Sequence, residues 1–152
     1  MIVELINDIN DGLYSSLHEQ GLRIVAVSNR NVHLDKFLAL DAAAQAAGDH
    51  KDYPNELAKS RGNYQSALGA VIAKELSETF EWEIAWIRKE NENSDDNVLS
   101  VIDLERRFVI FPILLARRSL SAKTNSCVSI YEKIRRGELP DTPPGSFHLI
   151  KP

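Results

Sequence analysis

From Gly62 to Ile113 the apolar positions shift their spacing from one period to another, and the rest of the chain is organised around that stretch. Projected at about 100° per residue, Tyr64, Leu68, Val71, Ile72, Leu76 and Phe80 share one broad face, with Ser66, Ala70, Lys74 and Ser77 opposite. This predicts a long amphipathic helix. Gly62 breaks whatever precedes it, and Asn63 is the expected N-cap. Gly69 and Glu75 interrupt the apolar arc. A mid-helix glycine costs roughly 1 kcal/mol relative to alanine, so close approach of another backbone is the expected reason for Gly69. A carboxylate at Glu75 needs water or a partner.

After Phe80 the period falls to two: Trp82, Ile84 and Trp86 alternate with Glu83, Ala85 and Ile87, as on a strand. The polar run Asn91, Asn93, Ser94, Asp95, Asp96 and Asn97 predicts a hairpin connection, and Val98 to Ile102 the returning strand. A turn near Asp103 to Arg106 leads into Phe108 to Ile113, apolar on both faces and expected to end at Pro112.

Upstream, Ile2, Leu5, Ile6, Ile9, Leu13 and Leu17 repeat at helical spacing, with Gly21 as a stop; Gly12 weakens the middle, so the helix begins late or bends there. Leu22 to Val27 reads as an edge strand or as more helix. Leu34 to Ala47 predicts an alanine-rich helix, and residues 49–61 a polar connector. Downstream, Leu114 to Arg118 leads through a bend to a helix from about Ser126 to Arg136, which Gly137 terminates. The proline-bearing tail is expected to wrap the surface or fray. The expected class is α+β, a three- to four-stranded antiparallel sheet packed by a long amphipathic helix. One domain is expected over residues 1–152: a helical part to 61, a helix, β-meander and helix core over 62–137, and an extended tail.

The length of 152 residues suits one core. A single cysteine, Cys127, excludes an intramolecular disulfide framework, and no apolar stretch approaches a membrane span. Cytoplasmic residence and no membrane partner are expected. The net charge of −4 conceals a split: residues 1–105 carry 9 Lys/Arg against 19 Asp/Glu, whereas residues 106–152 carry 9 against 3. Either the fold neutralises itself or it displays an acidic face to a basic partner. The overall acidity argues against nucleic acid.

No glycine-rich phosphate loop and no Gly-x-Ser-x-Gly elbow is present. Cys127 sits among apolar helix positions as a core residue. The histidines are dispersed, and Asp49, His50 and Asp52 read as a solvated loop, so neither a metal nor another cofactor is expected. The arginine doublets Arg106/Arg107, Arg117/Arg118 and Arg135/Arg136 are the positive signal: one arginine of each, with Phe108 or Tyr131, could form a patch for phosphate or single-stranded nucleic acid, but the doublets are read first as ion-pair partners of the acidic part and as helix-end caps.

The order of Ala67-Leu68-Gly69-Ala70, Glu81-Trp82-Glu83, Phe108-Val109-Ile110-Phe111-Pro112 and Arg117-Arg118 resembles a bacterial domain family of unknown function, over roughly Leu68 to Ile134. The resemblance implies a bacterial source and a shared core. It implies no catalytic residue.

Two functions are weighed. The first is a non-catalytic protein-interaction module, in the manner of an immunity protein that neutralises a basic toxin, with Glu90, Glu92, Asp95 and Asp96 as the partner-binding surface. Homo-oligomerisation stays open. The second is an enzyme or small-molecule binder with a pocket between the long helix and the sheet. Glu75 would then serve as a carboxylate of raised pKa, an arginine such as Arg107 or Arg118 would hold an anion, and Trp82 and Trp86 would line the pocket.

Overall fold

Along the computed structural model the elements run β1 (Ile2–Leu5), α1 (Gly12–Asn29), α2 (Lys36–Gln45), α3 (Arg61–Phe80), β2 (Glu83–Arg88), β3 (Val98–Ile102), β4 (Phe108–Ile110), α4 (Pro112–Ala122), α5 (Ser126–Arg135) and β5 (His148–Leu149). Residues 1–6, 11–29, 36–46, 61–88, 97–122 and 124–152 are described. The class is α+β. The five strands lie in chain order, each antiparallel to the last except β5, which runs parallel to β4. The sheet is therefore mixed rather than antiparallel throughout.

Helix α3 is central. Its expected face, including Tyr64, Leu68, Ile72 and Leu76, is buried, but so are Ala70 and Ala73, because α1 packs on that side. The Tyr14 hydroxyl donates to the Ala70 carbonyl at 2.9 Å, and the Tyr64 hydroxyl to the Ala43 carbonyl at 2.6 Å, so α1 and α2 are each fastened by a buried tyrosine. Each fully buried leucine or isoleucine here is worth about 1.5–3 kcal/mol. α3 begins at Arg61, two residues before the expected cap at Asn63.

Small residues set the helix spacing. A β-carbon on Gly69 would stand 2.6 Å from Ile113 Cγ1, which confirms the close-approach reading. Gly21 does not stop a helix: α1 runs through it, and a β-carbon there would stand 2.2 Å from the Ala67 carbonyl oxygen. It marks the crossing of α1 on α3. The β-prone run Leu22 to Val27 stays helical, in a helix that also buries Tyr14 and Ile24 in the core.

The expected N-terminal helix is replaced in part by a strand. Ile2 to Leu5 pairs with β2, Val3 opposite Ile87, and the helix begins only at Gly12. Asp11 explains that start: its Oδ1 accepts the Tyr14 amide at 2.9 Å, while its Oδ2 accepts the Trp86 indole N–H at 2.6 Å. One carboxylate thus caps α1 and ties it to β2.

Strand alternation divides the sheet's side chains. Ile84, Leu99, Val101, Phe108 and Ile110 join the helices in the main core, and Ala85, Ile87, Ile102 and Val109 form a second cluster with Val3, Phe111, Phe147 and Leu149. The Phe108 run is buried on both faces, as its composition predicts. It ends at Ile110, short of the expected end at Pro112, which instead opens α4, and that helix runs on past Arg118 into the expected bend. A proline without an amide hydrogen fits a helix's first turn.

At the end of α5, Gly137 takes φ +67°, its amide donates to the Ile134 carbonyl, and the Glu138 amide donates to that of Lys133. This paired capping satisfies the last helical carbonyls. The tail then returns to the sheet. β5 pairs with β4, and Ile150 is 5% exposed in the main core.

Candidate functional site

Two turns meet at one end of the sheet. At the first, α3 gives way to β2: Glu81 adopts φ 57°, and the Ser77 hydroxyl donates to the Trp82 carbonyl at 2.6 Å. At the second, β3 turns into β4 around Asp103, which is 3% exposed. Its carboxylate accepts the amides of Arg107 and Phe108 at 2.7 and 2.9 Å, and the Arg107 Nε–H at 3.0 Å. Arg106 sits at φ 56° within that turn. Left-handed backbone at a residue with a long side chain costs about 1 kcal/mol, and here the buried carboxylate holds it in place.

Glu83 pairs with Ile102, so the antiparallel register brings the two turns side by side. Between them lies an open depression of about 440 Å³, lined by Phe80, Glu81, Trp82, Asp103, Leu104, Glu105 and Arg107. Trp82 stacks on Phe108 with ring planes 7° apart, and Leu104 stands 68% exposed between two acids. The Arg107 guanidinium lies 5.4 Å above the Phe108 ring and pairs with Asp103 and Glu105 at 3.0 Å each. With the Asp103 carboxylate buried beneath the turn, Glu81 and Glu105 against the one Arg107 guanidinium leave the lining acidic.

A second concentration of polar groups is wholly buried. Asp41 Oδ1 accepts the Cys127 amide at 2.8 Å and the Ser119 hydroxyl at 2.9 Å, and Oδ2 accepts the Val128 amide at 3.0 Å. A carboxylate on α2 therefore caps α5 and binds α4 to it. Burial, and then the Asp41 charge beside it, push the Cys127 thiol well above its ordinary range. A nucleophilic cysteine needs the opposite environment, so this cluster is a joint in the framework.

The residues singled out in the sequence fall in separate places. Glu75 is 23% exposed, and its Oε2 is buried without a hydrogen bond, 3.6 Å from the Lys36 ammonium. Arg107 belongs to the depression above, and Arg118 lines a smaller one of about 80 Å³ with Leu114 and Lys151. Glu90, Glu92, Asp95 and Asp96 lie outside the described residues, as do Asp49, His50 and Asp52. Among the described residues no three His, Cys, Asp or Glu gather as metal ligands, and no helix is long and apolar enough to cross a membrane. The arginines of two doublets pair close by in sequence: Arg107 as above, Arg135 and Arg136 with Glu132, and Arg136 with Glu138. Arg107 thus pairs with two acids of residues 1–105, whereas the pairs of Arg135 and Arg136 stay within the C-terminal part.

The grouping of Glu81, Trp82, Leu104 and Glu105 did not emerge from sequence reading. The hairpin register would have revealed it, because both turns were already in view. The fold and this end of the sheet define an α+β protein with a mixed five-stranded sheet and an acidic, aromatic-walled depression. No family model, curated protein or solved structure matches the chain.

Proposed function

We propose that this protein is an interaction module that holds a basic protein partner at the acidic end of its sheet. The observation that carries the reading is Leu104, 68% exposed, in a depression lined by Glu81, Glu105 and the Trp82 wall. An exposed apolar side chain beside two carboxylates and an aromatic face suits a lysine or arginine side chain, with its apolar stem against the rings and its charge at the rim. Inhibition of a basic toxin in the manner of immunity proteins is the narrower form of this reading, and rests on analogy. A cytoplasmic setting is part of the same proposal.

The test uses an arginine-rich peptide as probe and tryptophan fluorescence as readout, in a Trp86→Phe background that leaves Trp82 as the reporter. Binding at low salt should weaken about fivefold on Glu81→Lys or Glu105→Gln, and fade as ionic strength rises. Unchanged binding in both variants, with loss on charge reversal of Glu90, Glu92, Asp95 and Asp96, would move the contact to that segment. Unchanged binding in every variant would end the proposal.

A further inference from the structure

The returning tail builds a second concave surface, remote in sequence from the acidic turns. A cleft of about 290 Å³ lies between the end of α5 and β5, with Lys133, His148 and Lys151 at its polar wall and Leu139, Pro140 and Leu149 at its apolar one. Lys133 Nζ donates to the Lys151 carbonyl at 2.6 Å, which fixes the ammonium in position and leaves its other hydrogens unassigned to that carbonyl. The His148 ring is set edge-on against Phe108, centroids 6.3 Å apart and planes at 82°. The one acid in the wall, Glu138, has its carboxylate 4.0 Å from the Arg136 guanidinium. The carbonyls of Lys133 and Ile134 accept the capping amides of Glu138 and Gly137.

We propose that this cleft binds a small organic oxyanion, a carboxylate or phosphate carrying an apolar group. The ammonium groups of Lys133 and Lys151 and the His148 imidazole receive the oxyanion, and Leu139, Pro140 and Leu149 cover the apolar part. The volume lies at the lower end of ligand sites and suits a single ring or a short chain. Lys151 also lines the adjoining depression that holds Arg118, which extends the basic wall beyond the cleft. The cleft does not rest on the basic-partner reading, although the two surfaces meet at Phe108, whose ring both His148 and Trp82 contact.

The probes are phenyl phosphate and benzoate, with benzyl alcohol as the neutral analogue, followed by amide chemical shifts of the folded protein. Saturable shifts confined to Leu139 and His148 through Lys151 are expected from both anions, and none from benzyl alcohol. Lys151→Gln should weaken binding about tenfold. It leaves the carbonyl that receives Lys133 in place, so it separates a lost anion contact from a loosened tail; Lys133→Gln should weaken binding at least as much. Shifts that never saturate, that spread over the whole basic surface, that survive Lys151→Gln unchanged, or that benzyl alcohol reproduces would each overturn the proposal.

Discussion

The amide of Cys127 donates to the carboxylate of Asp41 at 2.8 Å across 86 residues of chain, so α5 starts on a cap supplied by α2. Replacing Asp41 with alanine leaves two helix amides and the Ser119 hydroxyl without their acceptor in a buried place. We expect a loss of about 2–4 kcal/mol, seen as a lower urea midpoint at unchanged slope. A loss below about 0.5 kcal/mol would mean that water replaces the carboxylate.

Gly21 and Gly69 rank in a definite order. An added methyl at Gly21 meets the Ala67 backbone carbonyl at 2.2 Å, whereas at Gly69 the nearest atom is a side-chain carbon of Ile113 at 2.6 Å, with backbone atoms at 3.0 Å. Side chains can shift more readily than a helix backbone. Gly21→Ala should cost about 3 kcal/mol and Gly69→Ala about 1–2 kcal/mol, despite alanine's higher helix propensity. Thermal unfolding of the two variants checks the order, and a stabilised Gly21→Ala would contradict the crossing geometry.

These glycines also show where sequence reading succeeds and where it stops. Gly69 stood out because it interrupts a clear apolar arc, and its reason followed. Gly21 looked like a helix terminator because the helix before it was placed too early. Ile2, Leu5 and Ile6 fit a 3.6-residue period, but a four-residue edge strand leaves too few positions to tell the periods apart. The start of α4 was hidden because Phe108 to Leu115 is nearly all apolar and Pro112 serves equally as a strand's end or a helix's first turn. β5 is two residues long and follows three prolines, so its pairing depends on Val109 and Arg107 carbonyls far upstream. Of the candidate residues, Arg107 was seen singly, while its neighbours Glu81, Trp82 and Glu105 needed the hairpin register to be seen together.

The Cys127 thiol gives a pH signature. Its proton is held in the folded state, first by burial and then by the Asp41 charge, while in the unfolded chain it ionises near pH 8.5. A raised folded value means the contribution is fully present below that pH and is lost as pH rises above it. Between the two values stability should fall by up to about 1.4 kcal/mol per pH unit. Cys127→Ser, which has no such proton to lose, should show a flatter alkaline limb in denaturation midpoints measured from pH 8 to 10. Parallel limbs would show that the thiol is not protected. Thiol reagents should likewise react at the rate of unfolding.

The order of strands in the sheet carries a consequence for how it is assembled. β2, β3 and β4 pair across short connections, Ile87 with Val98 and Ile102 with Val109. Each outer strand closes a far longer loop, Ile2 reaching Arg88 and His148 reaching Phe108. Loop closure costs more entropy as the loop lengthens, so the middle ladder can zip before either border is in place. In native-state hydrogen exchange, the Ile6 and Ile150 amides, which donate to Ile84 and Val109, should open at lower free energy than the β2–β3 ladder. Uniform protection across all five strands would contradict this. The borders are thus latches, set last and released first, and the C-terminal one also fastens the Asp103 turn, whose carbonyls at Glu105, Arg106 and Arg107 accept the amides of Gly145, Phe147 and His148.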